Sequence, residues 1–293
     1  MRRAPRRSAP VGVSLVWPLR GWLTARPGVL FFEEFLAGPV FSLTADQDWA
    51  PEWALAEMLD LLDASGVPLH LFATNESPLL GRRGRSGQLT LGIPPNFQAG
   101  STHGSDADAV IESCLSLVPD ATTFRCHGFV ESTRVVWKLA ARGFTADSNI
   151  LSFLQPGLSP IVRGAGGLSF PVFFEDDVFL DLGGPELDLS QCLDLLWSPG
   201  LKILNFHPSL VGLNAPSVDY YDAHRTALFG SGARPQRHDG RGVATMLSEL
   251  VSAVHDRGFH FTPYPQLVAD AYRTLENAVP HGLYRWPGTP STS

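Results

Sequence analysis

Short β-type apolar runs alternate with helical patterns along most of the chain, and this alternation constrains the fold more than any other feature. Strand–helix repetition builds a parallel sheet with helical crossovers. Such a sheet is either open and doubly wound or closed into a barrel. Residues 40–44 read as the first strand. Pro51 suits a first helical turn, and Gly66 follows the end of the helix it opens. Between them Leu55, Met58, Leu59 and Leu62 recur at i, i+3, i+4 and i+7, the core stripe of a helix.

The pattern continues. Residues 67–72 and 89–93 read as strands, and Asp106 or Asp108 caps a helix through Val110, Ile111, Cys114 and Leu117. Residues 122–126 form a strand, and Ser132 caps a helix carrying Val135, Val136 and Leu139, closed by Gly143. A strand is expected over 168–174, a short helix over 189–197 and a strand over 201–206. A long polar loop is expected over 214–241, of the length that is usually functional or mobile. A helix carrying Val243, Met246, Leu247, Leu250 and Val254 follows, then a last strand over 259–262 and a last helix over 265–272.

The 293 residues are 44% hydrophobic, enough for one large domain with a full core, and the net charge is −7. That acidic balance argues against a nucleic-acid binder, which needs a basic face. Residues 1–30 form a basic, Pro-rich extension without the long apolar stretch of a secretory signal. No apolar run approaches the roughly 20 residues of a membrane span. Cys114, Cys126 and Cys192 show no paired spacing, so neither a disulfide framework nor a cysteine zinc site is expected. A cytoplasmic location fits. The main domain is expected over 31–280, with a flexible tail over 281–293. There is no GxGxxG and no P-loop.

Chemistry-bearing residues stand at the expected strand ends: Asp46 and Asp48, Arg125 and His127, Asp176 and Asp177, and His207. His103 lies in a loop after a further strand. In an α/β protein the carboxyl ends of strands are where active sites collect. Two carboxylates one residue apart can divide the labour, one holding a cation and the other taking a proton from water. Each residue also has a plainer reading. Asp48 could cap the Pro51 helix, His127 could be a turn residue before Gly128, and Asp176 and Asp177 could be loop surface. His207 before Pro208 has no packing or turn role that demands imidazole. His70, inside an apolar strand, reads as a hydrogen-bonded core histidine.

Four segments, in order, carry Thr44-Ala-Asp46-Gln-Asp48-Trp49, Gly92-Ile-Pro94-Pro-Asn96-Phe97, Arg125-Cys-His127-Gly128 and Asn205-Phe-His207-Pro208. With these the chain resembles the polysaccharide deacetylase (NodB-homology) family, in particular a bacterial branch with similar patterns. The resemblance spans about residues 41–214. It implies a distorted seven-stranded (β/α) barrel, a divalent metal, usually zinc, held by one Asp and two His, and removal of an acyl group from the nitrogen of an amino sugar or related small amide. On this resemblance Asp46 is the general base, Asp48 and His103 are metal ligands, and His207 is the general acid. Arg125 holds the base ionised, and Asp176 or Asp177 orients His207. Trp49, Asn96, His127 and Asn214 are the expected substrate contacts.

Those roles suit amide hydrolysis. A Lewis acid polarises the carbonyl and lowers the pKa of bound water toward about 7. A carboxylate takes the water's proton, and an imidazolium of unperturbed pKa about 6.5 returns one to the leaving nitrogen. The chain departs from the family at Pro94, which stands where the first metal histidine is expected. A catalytic zinc takes about three protein ligands; with Asp48 and His103 as two, either His127 or His207 supplies a third or the metal is weak, replaced or absent. The alternative is the same fold with a lost metal site, working by metal-free acid–base chemistry or binding carbohydrate without hydrolysing it.

Overall fold

The computed structural model describes residues 32–84, 87–183, 189–230 and 233–278. The expected extension over 1–30 and the tail over 281–293 lie outside the described residues. The strands are β1 (Pro39–Asp46), β2 (Leu69–Phe72), β3 (Leu89–Gly92), β4 (Thr123–Phe124), β5 (Ala146–Asp147), β6 (Ile161–Val162), β7 (Leu168–Ser169), β8 (Val172–Glu175) and β9 (Gly200–Phe206). The helices are α1 (Glu52–Ser65), α2 (Pro78–Gly84), α3 (Ala107–Leu117), α4 (Thr133–Ala140), α5 (Asp176–Asp181), α6 (Leu189–Trp197), α7 (Pro208–Leu213), α8 (Val218–Phe229), α9 (Val243–Asp256) and α10 (Tyr264–Ala278).

One sheet runs β3-β2-β1-β9-β8 and the other β4-β5-β7-β6. All pairs are parallel except β6 with β7. A bridge from Ile93 to Phe124 joins β3 to β4. On the other side β7 passes into β8 across Pro171, so one stave belongs to both sheets. The parallel strands thus form an α/β barrel distorted into two sheets. Proline cannot donate to a ladder, and the single strand expected over 168–174 is split at Pro171 for that reason.

Two further expectations change. The strand expected over 259–262 is reduced to a single bridge between Phe41 and Phe261. The segment 214–241 is not one long loop but contains α8, opened by Ser217, whose hydroxyl accepts the Tyr220 N–H. Helix α8 escapes the periodicity test because only Leu228 of it is buried, leaving no apolar stripe to read.

Helix α1 shows how the layers lock. Ala54, Leu55, Met58, Leu59 and Leu62 are buried, each contributing roughly 1.5–3 kcal/mol for the larger side chains. Gly66 ends it at φ 64°, a left-handed turn that glycine takes without strain, and its N–H satisfies the last carbonyls. Asp106, not Asp108, caps α3 by accepting two backbone N–H groups. Leu43, Ala45, Leu69, Leu71, Leu204 and Phe206 belong to the core between strands and helices. The alternate residues carry the polar groups: Ser42, Thr44 and Asp46 on β1, His70 on β2 and Asn205 on β9 are all buried. His70 is a core histidine, as expected. Its ring bonds the Thr90 and Thr123 hydroxyls at 2.8 and 2.9 Å and stacks on Tyr264. Burial lowers its pKa to about 3. No described helix is long and apolar enough to cross a membrane, and all three cysteines are buried.

Candidate active site

Arg125, Asp46, Asn205 and Glu175 form a buried relay across three strand ends and the segment after β4. Arg125 is 1% exposed. Its Nη1 lies 3.3 Å from both Asp46 carboxylate oxygens and also bonds Asn205 Oδ1. Its remaining donors go to Thr44 Oγ1 and to the Ser148 carbonyl and hydroxyl. The Asn205 amide donates to Asp46 Oδ2 at 2.9 Å and to Glu175 Oε1 at 2.8 Å. Burial, with the Asp177 charge next, raises Glu175 to about 8. Glu175 was assigned no role from sequence. Its signal is positional: it ends β8 as Asp46 ends β1.

His207 follows β9 and is aimed from behind. Its Nδ1 meets Asp176 Oδ1 at 2.6 Å, and its backbone N–H donates to Asp176 Oδ2 at 2.9 Å. The other ring nitrogen, Nε2, faces Asp48 Oδ2 at 3.8 Å and Asp46 Oδ2 at 4.0 Å. Burial alone would lower the His207 pKa, but the charges of Asp176 and Asp177 and the Asp176 hydrogen bond hold it well above the usual value. Asp176 is fully buried, and burial lifts its own pKa against the pull of His207. Asp176 is therefore not loop surface. Asp177 is exposed, and its Oδ1 accepts the next backbone N–H.

Asp48 does not cap α1. The cap position is Pro51, with no side-chain bond. Asp48 and Trp49 both adopt left-handed backbone, at φ 45° and 55°. Such conformations are uncommon for Asp and strained for Trp. Neighbours hold the turn in place: Gln47 Oε1 accepts the Thr74 and Asn75 N–H groups, and the Trp49 N–H donates to Thr74 Oγ1. The Asp48 carboxylate accepts from His127 Nδ1 at 3.1 Å. Burial raises the Asp48 pKa, but the His127 bond and the charges of His207, His127 and Arg125 leave it lowered overall. The same bond raises His127.

The other expected residues separate into two groups. Trp49, His103 and His127 stay together, the indole packing on both imidazoles at 5.6 and 5.5 Å between ring centres. His103 is not bonded to Asp48. Its Nδ1 accepts the Asn96 N–H and lies 3.5 Å from Cys114 Sγ. The Asn96 side chain is turned to the Gln98 N–H. Asn214 is spent on the protein itself. It donates to the carbonyls of His238 and Gly240 and accepts from Thr245, tying the end of α7 to the start of α9.

Beside Asp48 and His207 opens a cavity of about 380 Å³. Its walls are α5, α7 and α8, so the segment expected as a loop supplies one side.

A parallel α/β barrel with paired carboxylates and a carboxylate-held histidine at its strand ends is the architecture of a polysaccharide deacetylase. The WbmS-like polysaccharide deacetylase family model matches residues 43–225, and the chain belongs to that family. It is similar to the solved structure of a putative polysaccharide deacetylase involved in O-antigen biosynthesis from Bordetella bronchiseptica. The two are 28% identical over 73% of this chain and 90% of that one, with a TM-score of 0.66. A putative polysaccharide deacetylase from Mycobacterium smegmatis is 17% identical, covering 77% of this chain and 92% of that one, with a TM-score of 0.43. No curated protein matches the chain.

Proposed function

We propose that this chain removes an acyl group from the nitrogen of an amino sugar or a related small amide. The observation that carries this reading is His207: its Nδ1 is fixed on Asp176 and its Nε2 is turned toward two carboxylates at the mouth of a cavity. An imidazolium held in that way delivers a proton from Nε2 to a leaving nitrogen. Asp46, with Arg125 as its cationic partner and Asn205 fixing its Oδ2, is placed to take a proton from water on the same side. Arg125 and Asn205 keep that carboxylate from rotating toward His207 and quenching it.

Asp48 and His127 are the pair that best suits a divalent cation, an oxygen and a nitrogen 3.1 Å apart. His103 packs on the same indole, but its Nδ1 accepts the Asn96 N–H, and the described residues bring no third His, Cys, Asp or Glu ligand atom within 4.8 Å of both members of that pair. The His127 backbone N–H donates to the Pro95 carbonyl, which sets the segment after β4 beside the one that carries Pro94. Asp46, Glu175 and His207 also bring one ligand atom each to within 4.8 Å of one another. Bound at Asp48 and His127, a metal would polarise the acyl carbonyl and acidify water, leaving Asp46 and His207 free for proton transfer.

The test is release of acetate from N-acetylated amino sugars by purified protein. Asp46→Asn and His207→Gln should each lower kcat by at least about a hundredfold. Unchanged turnover in either variant would sink the assignment. Pro94 supports a second reading, in which the same fold binds carbohydrate without hydrolysing it. Tight binding of an N-acetylated sugar with no acetate released under any metal would favour that reading.

A further inference from the structure

Helix α8 buries only Leu228, yet one of its faces lines the cavity beside His207. Val218, Tyr221 and Asp222 recur at i, i+3 and i+4 on that face. The inward stripe of α8 is thus spent on a cavity wall and not on a core. The cavity volume of about 380 Å³ lies within the range of small-molecule sites, roughly 300–1,000 Å³. Ser217, which accepts the Tyr220 N–H, starts the helix and so sets which side chains face inward. The two tyrosines then part company. Tyr220 donates its hydroxyl to the Gln236 carbonyl and stacks on His224, tying α8 to its own surroundings. Tyr221 is half-buried against the cavity, and its hydroxyl has no hydrogen bond among the described residues.

Deacylation builds negative charge on the acyl oxygen, and this lining resists it. Asp48, Asp177, Asp181 and Asp222 all contribute to the wall, and ionised carboxylates only accept hydrogen bonds. The side-chain donors among the lining residues are His207, Ser209 and Tyr221. His207 Nδ1 is held by Asp176, and its Nε2 is the proton source for the leaving nitrogen. Ser209 Oγ is sealed off from the cavity. Tyr221 is the donor left uncommitted, and its oxygen is not sealed in that way. A phenol of ordinary pKa about 10 carries its proton at neutral pH. Burial raises Tyr221 further, and the charges of Arg225, His207 and Asp48 also reach it.

We propose that the Tyr221 hydroxyl donates a hydrogen bond to the acyl oxygen of the bound amide, and that this bond strengthens as the oxygen becomes anionic. A donor aimed where charge develops favours the transition state over the ground state. The phenol keeps its proton throughout: the water's proton goes to Asp46, and the nitrogen receives its proton from His207. Tyr221 is then a catalytic residue carried by the helix that writes no apolar stripe. This rests on the deacylation reading, so it is tested by binding as well as turnover.

The experiment compares the full chain with Tyr221→Phe, which removes the oxygen and keeps the ring. Acetate release from N-acetylglucosamine should fall about a hundredfold in kcat, with KM nearly unchanged. In parallel, calorimetry follows binding of N-acetylglucosamine and of its methylphosphonamidate analogue, whose tetrahedral anionic phosphorus mimics the intermediate. The variant should bind the analogue at least about tenfold more weakly, and N-acetylglucosamine as well as the unaltered chain does, at an unchanged thermal midpoint. Equal kcat in the two proteins, a rise in KM with kcat unchanged, or equal binding of the analogue overturns the proposal. If the unaltered chain releases no acetate, the deacylation reading falls and analogue binding still decides the role of Tyr221. A tenfold loss in Tyr221→Phe then leaves the hydroxyl standing as the donor to a tetrahedral anion, and equal or absent binding overturns it.

Discussion

Asp176 grips His207 twice, through ring Nδ1 at 2.6 Å and through the backbone N–H at 2.9 Å. The first contact fixes the tautomer and the charge, and the second fixes where the ring begins. An acid built this way loses function in two separable ways when the carboxylate is altered.

Asp176→Asn keeps a hydrogen-bonding group but removes the charge that helps hold His207 protonated. The His207 pKa is raised in the intact protein, so turnover that needs the imidazolium persists above pH 6.5 and is lost as pH rises through the elevated value. In the variant that alkaline limb should move to lower pH, with kcat at neutral pH falling about tenfold or more. A kcat–pH profile decides this, and an unmoved limb would remove Asp176 from the mechanism.

Arg125→Met should unfold more easily. The guanidinium is fully buried with its donors bonded, and its loss leaves the 8%-exposed Asp46 carboxylate without its hydrogen-bonded guanidinium partner. Breaking a buried pair by removing one partner costs about 3–5 kcal/mol. Urea denaturation should show a lower midpoint with an unchanged slope.

His70 predicts an acid limit to stability. Its folded pKa is depressed to about 3, so it must stay neutral in the fold while the unfolded chain protonates near 6.5. Stability is therefore lost progressively as pH falls from about 6.5 toward 3, by up to about 1.4 kcal/mol per unit. His70→Asn should lower stability at pH 7, yet flatten that part of the pH dependence. A parallel slope in the two proteins would count against it.

Metal retention is checked by analysis of protein as isolated. Asp48→Ala and His127→Ala should each lose stoichiometric zinc, cobalt or nickel, and Pro94→His should tighten binding. If Asp48→Ala holds metal as well as the unaltered chain, Asp48 and His127 are not the ligands.

The strand ends were legible because chemistry there departs from the apolar runs that precede it. Asp46, Arg125 and His207 stood out on that ground, and the structure brings them within one cluster. Glu175 did not stand out, because nothing in one dimension shows that Asn205 spans from it to Asp46. Helix α8 was hidden by its own exposure, since a helix that buries almost nothing writes no period into the sequence. Ser217 was the readable sign, a capping residue before Val218. Pro171 was also readable, and it marks where the stave changes sheets.

The left-handed pair at Asp48 and Trp49 has a consequence for how such a protein would change under selection. Glycine at either position would relax the backbone by about 1 kcal/mol or more. The most accessible route to a hardier protein therefore runs through the residues that face His207 and His127. A library sorted for heat resistance alone should erode this turn early and return well-folded, inactive molecules.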